Sequence, residues 1–302
     1  MKAEGEGERL SSGEHSVAIF AVPYDSGHRA LRMGAGPQHL LSNGMENALA
    51  TTAHAVSSET LEARSSFLTE ITTTFELLGE VARRVHGAAG SGDLPLVLSG
   101  NCIATVGVMA GLAGAWQQEE ELGVVWFDGH ADFNTPETTT SASLDGMGLA
   151  TAVGHCWVQI ARTIPGFRPV REDNVVLVGG RGADSREKER LRDSGVSVVE
   201  ERRIQEASSA EALGAALHTV RGRVGRVHVH LDLDVLDPDV VGPANEFAPE
   251  GGLTAEEVEG SIRVIRERLE VTSATFASYD PSLDRKGRVL EAGIAFARNL
   301  LS

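Results

Sequence analysis

The sequence predicts an α/β fold in which a mainly parallel sheet carries helices on both faces. Short apolar segments of strand length alternate with longer segments whose apolar residues recur at helical spacing. Carboxylate-rich motifs follow two of the predicted strands. Alternating strand and helix units are typical of parallel sheets, whose functional sites lie beyond the carboxyl ends of the strands.

The first half of the chain supplies three predicted strands and two predicted helices. The strands are continuous apolar runs, as buried parallel strands usually are. The helices have apolar residues three and four apart and no internal proline. In chain order these elements are strand Val17–Val22, helix Ser65–Val85, strand Leu94–Leu98, helix Ile103–Trp116 and strand Leu122–Phe127. The Thr/Ser-rich segment Asn134–Gly148 that follows is typical of a loop that lines a site.

The second half continues the alternation of strands and helices. In chain order its elements are strand Val175–Val178, helix Ser185–Asp193, strand Val196–Val199, helix Ala210–Val220, strand Val227–Val235, helix Thr254–Arg268, strand Val271–Tyr279 and helix Val289–Leu301. Thr254, followed three residues later by Glu257, predicts a capping box at a helix start. We expect the Arg-rich stretch Arg181–Arg192 to be an exposed helix face of mixed charge.

The length of 302 residues suits one large or two ordinary domains, and no linker is evident. Residues 1–14 are rich in Glu, Gly and Ser and lack an apolar core, so we expect a flexible tail and not a targeting segment. We assign residues 15–302 to a single domain. Cys102 and Cys156 are the only cysteines, too few for a disulfide framework, so a reducing cytoplasm is the expected location.

The charge balance argues against two classes of partner. The chain has 27 basic and 43 acidic residues, which gives a formal net charge of −16. Nucleic acids and anionic membranes attract positive charge, so we expect neither as the main partner. No segment approaches the ~18 apolar residues that a membrane-spanning helix requires. We expect a small-molecule substrate as the main partner. Whether the chain also forms a homo-oligomer stays an open question.

Three potential metal ligands follow the strand Leu122–Phe127 at alternate positions: Asp128, His130 and Asp132. Residues two apart on a strand point the same way, so these side chains can converge where the strand ends. A polar loop is the alternative interpretation, because Asp is common in the turns that follow strands.

A second motif of this kind favours the metal interpretation. Asp232 and Asp234, again two residues apart, lie in the segment that ends with Asp237-Pro238. Buried carboxylates are costly unless they are paired or bind metal, and few basic residues lie near either motif in sequence. Two such strand ends predict a site for two divalent cations. On the same strand we interpret His228 as a core residue and His230 as a residue that supports the ligands.

These motifs resemble the metal signatures of the ureohydrolase family, which includes arginase, agmatinase and formimidoylglutamase. The matching segments are Asp-Gly-His-Ala-Asp-Phe-Asn at 128–134 and Leu-Asp-Leu-Asp-Val-Leu-Asp-Pro at 231–238. Thr135–Ser141 resembles the substrate loop of arginase, and Gly251–Thr254 its loop-to-helix turn. The resemblance runs from about Val17 to the end of the chain. It implies a three-layer α/β/α sandwich with a mainly parallel central sheet.

The resemblance also implies a centre of two Mn²⁺ ions, and its oxygen-rich ligands are compatible with other divalent metals. Asp128 and Asp232 would bridge the two ions. Asp132 would complete one of them, and His130 with Asp234 would complete the other. In this family the ions activate the water that attacks the guanidinium-type carbon. Asp132 would then give a proton to the leaving amine.

The chain departs from the family pattern at two positions that concern metal and protons. Cys102, in Ser99-Gly100-Asn101-Cys102-Ile103, stands where the family has a metal-ligand His. A thiolate can bind the same ion, and a small packing Cys is the alternative. Asp145 stands where the family has a proton-shuttling His. The resemblance therefore gives Asp132, Asp145 and His130 as candidate catalytic residues.

A third departure concerns the substrate. Ser278 stands where a Glu holds the guanidinium in arginase, and Asp280, two residues on, is the candidate replacement. With the substrate-loop residues Asn134, Ser141 and Ser143, these form the candidate substrate-binding set.

The departures narrow the implied function. A Cys at the first ligand position, together with Phe-Asn-Thr-Pro-Glu-Thr-Thr at 133–139, resembles the Nω-hydroxy-L-arginine amidinohydrolase subgroup. The resemblance therefore implies a binuclear manganese enzyme that hydrolyses a guanidine or hydroxyguanidine C–N bond. Agmatine, 4-guanidinobutyrate, formimidoylglutamate and arginine are alternative substrates. Two other interpretations stay open: a mononuclear centre, and a metal-binding family member that has lost catalysis and acts as a binding or regulatory protein.

Overall fold

The protein is built on one eight-stranded sheet. A computed structural model describes residues 15–64, 69–116 and 121–301. Its strands are β1 (Val17–Val22), β2 (Tyr24–Asp25), β3 (His28–Arg29), β4 (Val56–Thr60), β5 (Leu94–Ser99), β6 (Leu122–Asp128), β7 (Val175–Gly179), β8 (Ser197–Val199), β9 (Arg226–Asp232) and β10 (Glu270–Ala277). The sheet order is β4-β1-β5-β10-β9-β6-β7-β8, and all of its pairs are parallel. β2 and β3 form a separate antiparallel hairpin.

Helices cover both faces of the sheet. They are α1 (Gly36–Ser42), α2 (Met45–Leu49), α3 (Glu70–Gly90), α4 (Ala104–Ala115), α5 (Gly148–Ala152), α6 (Val158–Ala161), α7 (Ser185–Asp193), α8 (Glu201–Glu206), α9 (Ser209–Arg221), α10 (Ala255–Arg268) and α11 (Arg288–Leu300). Short 3-10 helices span Arg32–Ala35, Asp145–Met147, Glu172–Asn174 and Leu233–Val235. None of the helices in the described part of the chain has the length and apolar content that a bilayer span requires.

Two hydrophobic cores lie on opposite faces of the sheet, because successive strand residues point to opposite sides. One core joins alternate strand residues such as Ile19 to helices α2, α9, α10 and α11. The other joins the intervening residues, such as Phe20, to α3, α4 and α5. This is a three-layer α/β/α sandwich, so the predicted fold class is confirmed.

Several predicted elements agree closely with the structure. α7 begins and ends at the predicted residues, and α10 starts after Thr254 with the capping box of Thr254 and Glu257 in place.

The end of β9 differs from the prediction: the strand predicted to end at Val235 ends at Asp232. The Asp232 side chain accepts a hydrogen bond from the backbone N–H of Asp234 and so starts a 3-10 turn.

Other elements were missed. β4 lies at the edge of the sheet and is largely exposed, so it has no apolar run to reveal it. The glycine-containing segment 27–36, in which no element was predicted, contains β3 and the 3-10 helix Arg32–Ala35, and α1 begins at its last residue. The helix predicted from Ser65 begins at Glu70, and residues 65–68 and the predicted tail, 1–14, lie outside the described residues.

Candidate metal centre

The candidate site lies at the carboxyl edge of the four central strands, β5, β10, β9 and β6. Asp128 is the last residue of β6, and Asp232 is the last residue of β9. Cys102 follows β5 just before α4, and Ser278 directly follows β10. Because parallel strands end at the same edge, chain segments more than a hundred residues apart bring these side chains together.

The potential ligand atoms form overlapping clusters. Three sets of three residues each have ligand atoms within 4.8 Å of one another: Cys102, Asp128 and His230; Cys102, Asp132 and Asp145; and Asp128, His130 and Asp234. The Cys102 thiol also donates a hydrogen bond to Asp232 Oδ2 over 2.8 Å. All six predicted metal ligands therefore belong to one connected group.

Hydrogen bonds fix the orientation of Asp128 and its neighbours. Asp128 Oδ2 accepts from the indole N–H of Trp126 over 2.9 Å, and its Oδ1 accepts from the backbone N–H of His130 over 2.6 Å. The backbone N–H of Gly129 donates to Asp234 Oδ1 over 2.9 Å. A Cβ at Gly129 would lie 2.7 Å from the backbone oxygen of Asp234, so only glycine permits this close approach of the two motifs.

The acids of the cluster have strongly shifted pKa values. Burial raises the pKa of the Asp128, Asp132 and Asp232 carboxyls, and repulsion by neighbouring carboxylates adds to the shift. Burial, together with the charge of Asp232, also raises the pKa of the Cys102 thiol well above its usual value. Divalent cations are the partners that allow such a buried group of acids to stay ionised.

His130 and Asp234 form an ion pair, with His130 Nδ1 lying 3.1 Å from Asp234 Oδ2. Burial lowers the pKa of His130, but hydrogen bonds with Asp128 and Asp234 outweigh burial and raise this pKa to about 12. Burial raises the pKa of Asp234, but the hydrogen bond and the charge of His130 lower it to about 2. The His130 side chain is 35% exposed, so it borders the opening of the site.

Two buried polar atoms of the site point to a missing positive partner. Among the described residues, Asp132 Oδ2 and His230 Nε2 have no hydrogen-bond partner. Asp132 also has a positive φ of 51°, which is uncommon for residues other than glycine. A set of carboxylates, imidazoles and a thiol with unpartnered lone pairs fits divalent metal ions.

Asp145 lies on the side of Cys102 and Asp132 and is held by two donors. The side-chain amide of Asn101 donates to Asp145 Oδ2 over 2.8 Å, and the backbone N–H of Ile103 donates to Oδ1 over 3.1 Å. Burial raises the pKa of Asp145 to about 7, although these hydrogen bonds oppose the shift.

Asn101 links the site to a further ion pair. Its amide nitrogen also lies 3.4 Å from Asp25 Oδ1, and Asp25 Oδ2 accepts from Arg32 Nε over 2.8 Å. Arg32 lines a neighbouring cavity of about 520 Å³ together with His28 and Glu70. Asn101 was not among the predicted site residues, because its partners Asp25 and Asp145 come from distant segments of the chain.

Ser278 and Asp280 differ in their surroundings. Ser278 has a positive φ of 64°, and its Oγ lies 3.3 Å from Cys102 Sγ. Asp280 is buried, and its Oδ1 accepts from the backbone N–H of Ser282, as in an Asx turn. Asn245 donates to the carbonyl of Ser278 over 3.0 Å, and its amide nitrogen lies 3.4 Å from Asp234 Oδ2.

The predicted substrate-loop residues lie outside the ligand cluster. Asn134 Oδ1 accepts from the Thr138 hydroxyl over 2.8 Å, which folds the start of the loop onto itself. Ser141 is exposed and accepts from the backbone N–H of Ser143 over 3.2 Å. These contacts organise the loop locally.

The Arg-rich stretch contains two supporting residues that the sequence did not reveal. The expectation of an exposed face was wrong for Arg181 and Glu187. Arg181 donates to the backbone oxygens of Asp234 and Pro249 over 2.8 and 3.0 Å. Glu187 is buried and accepts from the backbone N–H of Phe133 over 2.8 Å. They therefore hold the loops that follow β9 and β6.

Comparisons with known proteins agree with this geometry. The model of the Arginase family matches residues 15–302. The chain is 29% identical over 296 residues to the arginase of Bacillus caldovelox, covering 94% of this chain and 97% of the relative. It is 30% identical over 224 residues to the arginase of Bacillus subtilis, covering 74% of this chain and 73% of the relative. The solved structure of the Bacillus caldovelox arginase superposes with a TM-score of 0.85 at 27% identity, covering 95% and 98% of the two chains. The resemblance found in the sequence is confirmed: the chain belongs to the arginase family.

Proposed function

We propose that the protein is a binuclear metal-dependent hydrolase of guanidine-type C–N bonds, with Mn²⁺ as its metal and a hydroxyguanidine as its preferred substrate. The observation that carries the proposal is the connected cluster of six predicted ligands at one sheet edge. The arginases among the relatives support the reaction class. The uncharged side chain of Ser278, which lies beside Cys102 at the same sheet edge, supports the narrower substrate class.

The residues present fit two divalent ions. Cys102, Asp128, Asp132 and Asp232 would hold one ion, and Asp128, His130, Asp232 and Asp234 the other. When bound, such ions lower the pKa of water and polarise the substrate. Asp128 is suited to a shared position because its two oxygens are oriented separately by Trp126 and His130.

Two carboxyl groups are suited to proton transfer. Asp132 Oδ2 is buried without a partner among the described residues, so the Asp132 carboxyl, which would hold one ion, is also placed to take up a proton and pass it to the leaving amine. Asp145 lies in the same cluster, and its Oδ2 is hydrogen-bonded to Asn101, which connects through Asp25 to Arg32 near the protein surface. Asp145 therefore takes the place of the shuttle His of the family.

Ser278 supports the proposed substrate class. A serine hydroxyl offers a neutral hydrogen bond, whereas a carboxylate would pair with a fixed guanidinium charge. Asp280 already accepts from the backbone N–H of Ser282. A hydroxyguanidine is less basic than a guanidinium and can bind as the neutral form, so it needs the missing carboxylate less. We therefore propose an Nω-hydroxy-L-arginine-type substrate.

The cysteines fit a reducing compartment. Cys102 and Cys156 are both free and buried, and a metal-ligating thiolate must stay reduced. Cytoplasmic location is part of the proposal.

The test combines metal analysis with product release. We expect two divalent ions per chain and release of urea or hydroxyurea from a panel of arginine, agmatine, 4-guanidinobutyrate, formimidoylglutamate and Nω-hydroxy-L-arginine, with formamide release monitored for formimidoylglutamate. Two bound ions without turnover of any compound would favour the binding or regulatory alternative. One bound ion would favour a mononuclear centre.

A further inference from the structure

His230 has one ring nitrogen that the protein leaves without a partner. The side chain is fully buried on β9, and its ring stacks on Trp126 with 3.8 Å between ring centroids. Its Nδ1 lies 2.8 Å from the Thr105 hydroxyl of α4. Its Nε2 has no hydrogen-bond partner among the residues that the structure describes. Buried polar atoms of this kind are rare and call for a ligand.

His228 provides an internal comparison. It lies two residues earlier on β9 and on the same face, and it is equally buried. Its Nδ1 lies 2.8 Å from Ser273 Oγ, and its Nε2 lies 3.2 Å from Thr275 Oγ1. Both of its nitrogens are therefore satisfied by β10. The core of this face can supply partners to a histidine, yet it supplies only one to His230.

The His230 ring lies beside the candidate metal centre. An imidazole nitrogen of His230, the Cys102 sulfur and an Asp128 oxygen all lie within 4.8 Å of one another. Thr105 occupies Nδ1, so Nε2 is the nitrogen that is free to bind. A sulfur, a nitrogen and an oxygen therefore surround one point from β5, β9 and β6.

We propose that His230 Nε2 is an additional ligand of the metal ion held by Cys102 and Asp128. This inference rests on the metal centre of the proposed function. Nδ1–H donates to Thr105 Oγ1, which leaves the lone pair of Nε2 directed at the ion and fixes the ring orientation. The centre then has seven protein ligands, two of them imidazoles.

The donor set makes the two metal positions different. A thiolate, an imidazole and carboxylates suit Zn²⁺ and Co²⁺ better than the oxygen-rich set at the other position does. Co²⁺ bound beside Cys102 should give a thiolate-to-metal absorption band whose position depends on His230.

The test is a Co²⁺ titration of the full chain after removal of metal with a chelator. His230→Gln should raise the dissociation constant of one ion by at least about tenfold and shift the absorption band. The matched control, His228→Gln, should bind both ions as the unmodified protein does. Thr105→Val should weaken the same ion as His230→Gln. Unchanged affinity and an unchanged band in His230→Gln would overturn the assignment.

A second measurement needs no variant and so does not depend on the folding of one. Unmodified protein labelled with ¹⁵N-histidine and loaded with ¹¹³Cd²⁺ should show nitrogen–cadmium coupling from two histidines, His130 and His230. Two bound ions with coupling from a single histidine would overturn the His230 assignment and leave the proposed function standing. Failure to bind any divalent ion would overturn both.

Discussion

The sulfur of Cys102 lies 3.3 Å from the hydroxyl of Ser278, so two of the positions at which this chain departs from the arginase pattern are in contact. In the family pattern the position of Cys102 is a metal-ligand His, and the position of Ser278 is a Glu that holds the guanidinium. Cys102 and Ser278 have smaller side chains than these residues, and they follow the neighbouring strands β5 and β10. We infer that the two substitutions form one unit that links the metal donor set to substrate selection.

Replacement of Asp128 should remove both metal ions. Asp128 belongs to two of the three ligand clusters, so Asp128→Asn weakens both positions together. The measurement is elemental analysis after dialysis against metal-free buffer. Asp193→Asn, at the exposed end of α7, serves as the control and should keep full metal content. Full metal content in Asp128→Asn would rule out a shared ligand.

Replacement of Cys102 should act on one ion only. Cys102→Ala should weaken one ion, whereas Cys102→His should keep both because imidazole suits the same metals. Thiol-directed reagents should inactivate the enzyme, and excess Mn²⁺ should protect it. Cys156→Ala is the matched control, because Cys156 lies outside the ligand clusters in the described part of the chain. Equal affinity for both ions in Cys102→Ala would make Cys102 a packing residue.

Asp145→Asn should reduce turnover without loss of metal. We expect kcat to fall by about 10²–10⁴-fold, the usual contribution of a general acid or base, with two ions still bound. Asn101→Ala should give a smaller fall, because it removes the donor to Asp145 Oδ2 but keeps the carboxylate. If kcat of Asp145→Asn equalled that of the unmodified protein, proton transfer would have to be assigned to another group.

Side-by-side kinetics should favour Nω-hydroxy-L-arginine over L-arginine in kcat/KM. The reason is that Ser278 lacks the charge that pairs with a guanidinium, while Asp280 is engaged with the backbone of Ser282. Asp280→Asn should therefore have little effect on the ratio between the two substrates. Fast arginine hydrolysis that collapses in Asp280→Asn would contradict this substrate class and make Asp280 the substrate-holding carboxylate.

Tyr279 should make stability fall at alkaline pH. Burial and the nearby charge of Asp284 raise the pKa of its phenol. The folded state therefore keeps this proton above pH ~10, where the unfolded chain loses it, so its contribution to stability is constant below pH ~10 and declines above. In urea unfolding between pH 8 and 11, Tyr279→Phe should reduce the decline. Tyr24→Phe, which replaces the other tyrosine of the chain, should leave the alkaline decline in stability unchanged.

The sequence alone determined the fold class and the candidate ligand set. Alternation of apolar strands and amphipathic helices predicts parallel strands, and parallel strands end at one edge. The spacing of Asp128, His130 and Asp132, and of Asp232 and Asp234, follows from the two-residue period of a strand. These spacings are local properties of the chain. They can be predicted from sequence because the residues of each motif lie in one contiguous segment.

Tertiary structure decided which side chains support that set and which remain unpartnered. Asn101 meets Asp145 across 44 positions of sequence, and Arg181 meets the carbonyl of Asp234 across 53. No local period links such residues, because their contacts depend on how loops pack above the sheet. The same holds for His228 and His230. They are two positions apart and of the same residue type, yet β10 supplies hydroxyls to both nitrogens of His228, while His230 Nε2 has no partner among the described residues and the His230 ring lies beside Cys102 and Asp128. Hydrogen-bond satisfaction is a property of the three-dimensional surroundings, and only the folded chain defines them.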